Sequence, residues 1–151
     1  MRTLACAVVS ALALALFAGC AGGPPKPKAM KASLVAAADL NPDAGGQPQP
    51  IVLRVYQLKE EGAFNNADYF ALIDKEQQTL GPSLVAREEY DVQPGQTRTL
   101  DLKIAPEAHF IGATAGFRDI GNAKWRALVP VSKGKLTITI AKAEVTLAAG
   151  K

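Results

Sequence analysis

The stretch Thr97-Arg98-Thr99-Leu100-Asp101-Leu102-Lys103-Ile104 decides the fold. Leu100, Leu102 and Ile104 fall on one side of an extended chain, and Thr99, Asp101 and Lys103 on the other. That period of two is the pattern of a half-buried strand. Gln93-Pro94-Gly95-Gln96 stands just before it. Pro94 and Gly95 suit the two central positions of a type II turn, and residues 83–92 before that turn read as another strand. Downstream, Leu136-Thr137-Ile138-Thr139-Ile140 alternates in the same way, and Val145-Thr146-Leu147 follows as a short last strand. Residues 108–120 read as a long strand in which Gly112 and Gly116 mark bulges or close packing. Residues 124–131 read as a strand with Trp125, Ala127, Val129 and Val131 on one face.

Working outward, Ile51–Leu58 carries apolar residues on both faces, so it reads as a strand covered on both sides for part of its length. Residues 32–40 are Ala-rich but read as the first strand. Between these two, Pro42, Pro48, Pro50, Gly45 and Gly46 exclude regular structure. The one convincing helix covers 64–81. Asn65 is its expected cap and Asp68 the capping-box partner, with Phe64 and Tyr69 as a hydrophobic staple. Tyr69, Phe70, Leu72, Ile73 and Leu80 form its expected apolar side, and Gly81-Pro82 ends it. Seven or eight short strands with one inserted α-helix predict an all-β, antiparallel β-sandwich.

The beginning of the chain has a different character. Met1-Arg2-Thr3 carries one positive charge, and 4–18 is a run of Ala, Leu and Val broken by Cys6 and Ser10. About 15 residues is short for a membrane span, which needs roughly 20, and fits the hydrophobic region of a secretory signal. Leu16-Phe17-Ala18-Gly19-Cys20 resembles the bacterial lipobox, with Phe17 where Leu is usual. The resemblance implies a lipoprotein signal peptide over 1–19, cut after Gly19, and Cys20 acylated by diacylglyceryl and N-acyl chains. Ala21 after the cysteine points to the outer membrane. Residues 20–31 read as the lipidated cysteine and a flexible tether. Pro24, Pro25 and Pro27 favour an extended path, which at about 3.1 Å per residue reaches roughly 30 Å. Lys26, Lys28 and Lys31 read as solubility and spacing, with contact to anionic headgroups as the alternative. The domain proper is 32–151.

Composition narrows the function. The chain has 151 residues and a formal charge of +3. Arg2 is the only charge in the leader, so no block of like charge remains to bind nucleic acid. The two cysteines, Cys6 and Cys20, leave an acylated mature chain with no thiol and no disulfide. His109 is the single histidine, too few for a metal site. Glu88 and Glu89 are adjacent, so on a strand they point to opposite faces and do not form a carboxylate pair. Asn41-Pro42-Asp43 is too thin for a Ca²⁺ loop. Arg118 and Asp119 read as a charge pair, and Trp125 as a core residue rather than an interface anchor. No Walker loop, nucleophile elbow or dinucleotide fingerprint occurs. The chain is therefore expected not to be an enzyme and to need no cofactor beyond the covalent lipid on Cys20.

An ordered set of motifs adds to this. Asn41-Pro42-Asp43, Pro50 with Ile51–Leu58, Phe64, Ala67-Asp68-Tyr69-Phe70-Ala71-Leu72, Pro94-Gly95, Ala115-Gly116-Phe117-Arg118-Asp119 and Trp125-Arg126 resemble the TssJ family (VasD-like) of type VI secretion lipoproteins. The resemblance implies a transthyretin-like antiparallel β-sandwich with one added helix and a protruding loop after the first strand. It implies an outer-membrane lipid anchor and, as partner, the periplasmic domain of the inner-membrane component TssM. The loop implicated in that contact maps here to Asn41, Pro42, Asp43, Ala44, Gly45, Gly46, Gln47, Pro48 and Gln49. No nucleic acid and no small-molecule substrate is expected. The rival reading is a periplasmic ligand-binding or pilotin-type lipoprotein of another envelope assembly.

Overall fold

The computed structural model describes residues 25–150; the leader 1–19 and Cys20 lie outside the described residues. The chain runs β1 (Lys28–Ala36), β2 (Ile51–Leu58), α1 (Gly62–Asn66), α2 (Tyr69–Asp74) and α3 (Glu76–Leu80). It continues through β3 (Leu84–Val92), β4 (Thr97–Ile104), β5 (Phe110–Ala115), β6 (Arg126–Pro130), β7 (Leu136–Ile140) and β8 (Val145–Ala149). The strands form two four-stranded sheets, ordered β4-β1-β7-β8 and β3-β2-β5-β6. This is the expected sandwich, with β4 and β7 bounded as the alternation placed them.

The core lies between the sheets. Leu100, Leu102 and Ile104 of β4 and Leu136, Ile138 and Ile140 of β7 are buried there, facing Ile51, Leu53 and Val55 of β2. Gln57 continues that inward face and is itself buried. Its Nε2 donates to the Lys103 carbonyl (3.0 Å) and its Oε1 accepts from Ala105 N–H (2.9 Å), which ties the two sheets together. A second, smaller core lies on the other face of β2, where Tyr56 and Leu58 pack with Phe64, Leu72 and Leu80 of the helical segment. The double-sided pattern of Ile51–Leu58 is thus explained: sheet on one side, helices on the other.

Several boundaries and directions differ from expectation. The first strand is Lys28–Ala36 rather than 32–40, so Lys28 to Lys31, read as tether, are strand. Antiparallel pairing to β4 (Lys28↔Ile104, Ala32↔Leu100) satisfies that backbone and overrides the tether-like composition. The β1–β7 pair is parallel, not antiparallel. Over a hundred residues separate the two strands (Ala32 pairs with Leu136), so no hairpin constrains their relative direction. The strand expected over 108–120 is β5 alone, and the chain leaves the sheet after Ala115.

The single helix over 64–81 is three short helices followed by a 3-10 turn, Gly81–Ser83. The capping residue is Asp68, not Asn65: its carboxylate accepts from Ala71 N–H at 2.8 Å. At the first break, Asp68 caps the new helix and Arg126 takes up the carbonyls left over. The Arg126 Nη1 donates to the carbonyls of Phe64 (2.9 Å) and Ala67 (2.7 Å), the acceptors that an unbroken helix would give to residues 68 and 71. The break resets the helical phase, so Phe70 is 62 % exposed instead of buried with Leu72. Gly112 and Gly116 mark close packing, as one of the two readings had it. A Cβ on Gly112 would stand 2.8 Å from the Phe64 ring, and one on Gly116 would stand 2.9 Å from the Tyr69 hydroxyl.

Strand directions give the sandwich two distinct ends. β1 enters at one end, which also holds the β4–β5 and β6–β7 connections and the end of β8. The opposite end holds the β1–β2, β3–β4, β5–β6 and β7–β8 connections. These are called here the entry end and the far end.

Candidate docking site

The loop 37–50 between β1 and β2 lies at the far end, and it is a built structure. Asn41 is its foot. Its φ of +48° is one that Asn tolerates better than most residues, and the side chain is buried. Nδ2 donates to the Pro50 carbonyl (3.0 Å), Oδ1 accepts from Arg118 N–H (2.8 Å), and the backbone N–H donates to the Lys142 carbonyl (3.0 Å). One residue thereby joins the loop, its own far stem, the β5–β6 connection and the β7–β8 turn. Gln49 N–H closes the stem onto the Leu40 carbonyl at 3.0 Å, and Leu40 is buried in the main core.

Asp43 holds the tip. Its Oδ1 accepts from the backbone N–H of Gly45 and of Gln47, both at 2.9 Å, and Oδ2 accepts from Gln49 Nε2 at 3.0 Å. This is the local side-chain-to-backbone bonding that Asp favours in turns. The hydrogen bond from Gln47 N–H, with those from Gly45 and Gln49 and the nearby Arg118, holds the Asp43 carboxyl below the ordinary aspartate range. A depressed pKa means that the loop's stabilisation is complete above the ordinary value and fades only as pH falls through the lowered one. Ala44, Gly45, Gly46, Gln47 and Pro48 are exposed, while Pro42, Asp43 and Gln49 are half-buried.

Two further connections flank the loop. The β3–β4 turn has Gly95 at φ +72° and Gln96 N–H bonded to the Gln93 carbonyl, so the turn read from Pro94-Gly95 is present. Gly95 N–H donates to the Ala37 carbonyl (3.0 Å), fastening that turn to the start of the loop. In the β5–β6 connection, Asp119 accepts from the Asn122 side chain at 3.0 Å instead of pairing with Arg118, because the chain turns back over 119–123. Asn41, Pro42, Phe117, Asp119, Lys142 and Ala143 line a cavity of about 200 Å³ beneath the loop.

Of the nine expected loop residues, Asn41, Asp43 and Gln49 hold the loop together through their side chains, Pro42 is half-buried, and Ala44 to Pro48 are exposed. Sequence reasoning treated the loop as one exposed piece. The contribution of Phe117, Arg118 and Asp119 to its footing was missed, since the bond from Arg118 to Asn41 comes from a backbone N–H, which carries no residue-type signal. Trp125 is half-buried between both cores, edge-on to Tyr69 (5.3 Å between centroids, 79°), with the Arg126 guanidinium over its ring at 4.8 Å. It pins the helical segment to the sheet. Glu88 and Glu89 do point to opposite faces: Glu88 accepts from the Tyr90 hydroxyl, and Glu89 from Arg54 (2.7 Å) and Arg87 (3.0 Å). Among the described residues no group of three or more His, Cys, Asp or Glu could hold a metal ion, and no helix is long and apolar enough to cross a membrane.

A family model described as "Type VI secretion lipoprotein, VasD, EvfM, TssJ" matches residues 28–150, from the first residue of β1 to the end of the sandwich. The chain belongs to the type VI secretion lipoprotein family. The T6SS lipoprotein TssJ1 from Pseudomonas aeruginosa is 37 % identical, with 83 % of this chain and 98 % of that chain covered and a TM-score of 0.78. Lip from Serratia marcescens, a membrane-bound component of the type VI secretion system, is 25 % identical over 83 % and 99 %, with a TM-score of 0.74. A chain of the structure described as "Type VI membrane complex" is 26 % identical over 83 % and 100 %, at 0.71. A chain of the structure described as the TssM C-terminal domain (869-1107) from EAEC is 26 % identical over 82 % and 99 %, at 0.69. No curated protein matches significantly. Membership makes this a structural, membrane-anchored lipoprotein of the type VI secretion membrane complex rather than an enzyme. It also sets aside the reading as a lipoprotein of some other envelope assembly.

Proposed function

We propose that the protein is a tether. Acyl chains on Cys20 hold it in the outer membrane, and the far-end loop docks on the periplasmic domain of TssM. The observation that carries this reading is the polarity of the sandwich. The described chain enters at the entry end, and the β1–β2 loop, its tip fixed by Asp43, stands at the other. β1 alone separates the two by about 26 Å at 3.3 Å per residue. A molecule that bridges two membranes needs its attachment points on opposite sides. The Asp43 bonds also fix the loop before binding, which lowers the entropy cost of association. The relatives found in structures described as a type VI membrane complex and as the TssM C-terminal domain support TssM as the partner.

The test alters the tip without touching its footing. Ala44→Arg with Gln47→Arg keeps every backbone amide that Asp43 binds. Titration against the TssM periplasmic domain should show binding weakened at least about tenfold, near 1.4 kcal/mol, with an unchanged melting temperature. Undiminished affinity in the folded variant would remove the loop from the interface.

A further inference from the structure

The entry end carries a second feature that docking on TssM does not use. Lys28, Lys31, Lys133 and Lys135 line one open groove of about 650 Å³. Its floor is apolar: Met30 at the start of β1, Ile104 at the end of β4, and Val131 after β6. All four lysines are exposed. They come from two places far apart in sequence, β1 and the β6–β7 connection, so the sequence shows only pairs of lysines where the fold makes a cluster. Lys31 has Asp101 at 2.6 Å, but both side chains are more than two-thirds exposed, and such a pair contributes little. Lys103 lies opposite Ala29 on the neighbouring strand and adds a further positive charge, with Glu107 the acidic residue in the connection that follows.

We propose that this lysine-rimmed groove docks on anionic phospholipid headgroups and seats the domain on the membrane. Charge complementarity is the first argument: ammonium groups around an apolar floor match phosphate above a glycerol backbone, and lysine stems can cover apolar surface while their heads stay in water. Reach is the second. Eight residues, 20–27, reach at most about 25 Å even at an extended ~3.1 Å per residue, so a lipid on Cys20 would keep this end close to headgroups. Electrostatic attraction acts within a Debye length of about 8 Å, so the groove engages only when the domain settles down onto the surface. Contact at several lysines then fixes orientation, and the β1–β2 loop points away from the bilayer towards its partner. A lipid on a flexible tether alone would leave the domain free to swivel.

The orientation rests on Cys20 as the anchor, while the lipid contact does not. The test therefore uses residues 20–151 carrying Cys20→Ser, which has no acyl chain. All the described strands lie within Lys28–Ala149, so residues 20–151 keep every one of them. Sedimentation with phosphatidylglycerol vesicles should pull the protein down, and phosphatidylcholine vesicles should not. Each lysine near an anionic surface contributes a factor of about five in affinity, so Lys28→Ala with Lys133→Ala and Lys135→Ala should weaken binding about a hundredfold. The matched variant outside the groove, Lys75→Ala with Lys124→Ala and Lys142→Ala, should bind like the parent. Melting curves check that both fold. Absence of binding to phosphatidylglycerol, equal loss in the two variants, or displacement by millimolar inorganic phosphate would each overturn the proposal. None of these outcomes bears on TssM binding, which is read separately.

Discussion

Asn41 shows how much a single residue can carry at the far end. It is buried, sits at positive φ, and its amide satisfies Pro50 and Arg118 at once. Asn41→Ala removes both bonds and leaves the part-buried Pro50 carbonyl and Arg118 amide without that partner, at about 1–2 kcal/mol. Asn41→Gly tolerates the backbone conformation but loses the same bonds, so denaturant titration should find it destabilised as well. If Asn41→Gly is neutral, the residue serves conformation and not bonding. This limits how the loop can be dissected. Exchanging 41–49 whole for a Gly/Ser linker would lower stability as well as binding, whereas changes at Ala44 and Gln47 separate the two. The Asn41-Pro42-Asp43 motif was visible in the sequence; which of its residues face the core was not, because the partners Arg118 and Lys142 are distant in the chain.

At the scale of elements, the helical segment is where local pattern and tertiary structure part. Periodicity over 64–81 is that of one helix, and no Gly or Pro lies inside it before Gly81. The first break is held by Asp68, which caps α2, and by Arg126, which lies 59 and 62 residues from the carbonyls it takes. Phe64 then drops over Gly112, its ring against Tyr56 at 5.4 Å between centroids. Gly112→Ala should cost about 1–3 kcal/mol by overpacking. Combining it with Phe64→Leu, which vacates that space, should recover part of the loss in a double-mutant cycle. Additive losses would mean that the glycine serves the strand and not the ring. Strand edges follow the same logic. β4 and β7 were legible because one face is solvent and the other core. β1 was misplaced by four residues at its start, since only pairing with β4 shows that Lys28 to Lys31 belong to the sheet.

At the scale of the molecule, the proposed anchor and the proposed docking loop share no residue, so their losses should be separable. Cys20→Ser should move the protein from the salt-washed membrane fraction to the soluble periplasm and abolish secretion, since high salt screens the contact made by the lysine groove. The purified variant should still bind the TssM domain with unchanged affinity. Retention in salt-washed membranes with normal secretion would sink the anchor. The Ala44→Arg, Gln47→Arg variant should show the reverse, staying in the membrane while failing to dock.

The sequence by itself determined the class of molecule. A uniform apolar leader ending in Ala18-Gly19-Cys20, alternating strands and an absence of catalytic groupings are local properties, set by period and composition. Tertiary structure alone decided what each far-end residue does, where the helical segment breaks, and that four lysines from two segments share one groove. The physical reason is common to all three. Each depends on contacts between residues tens of positions apart, and neither hydrophobic period nor local propensity carries information over that distance.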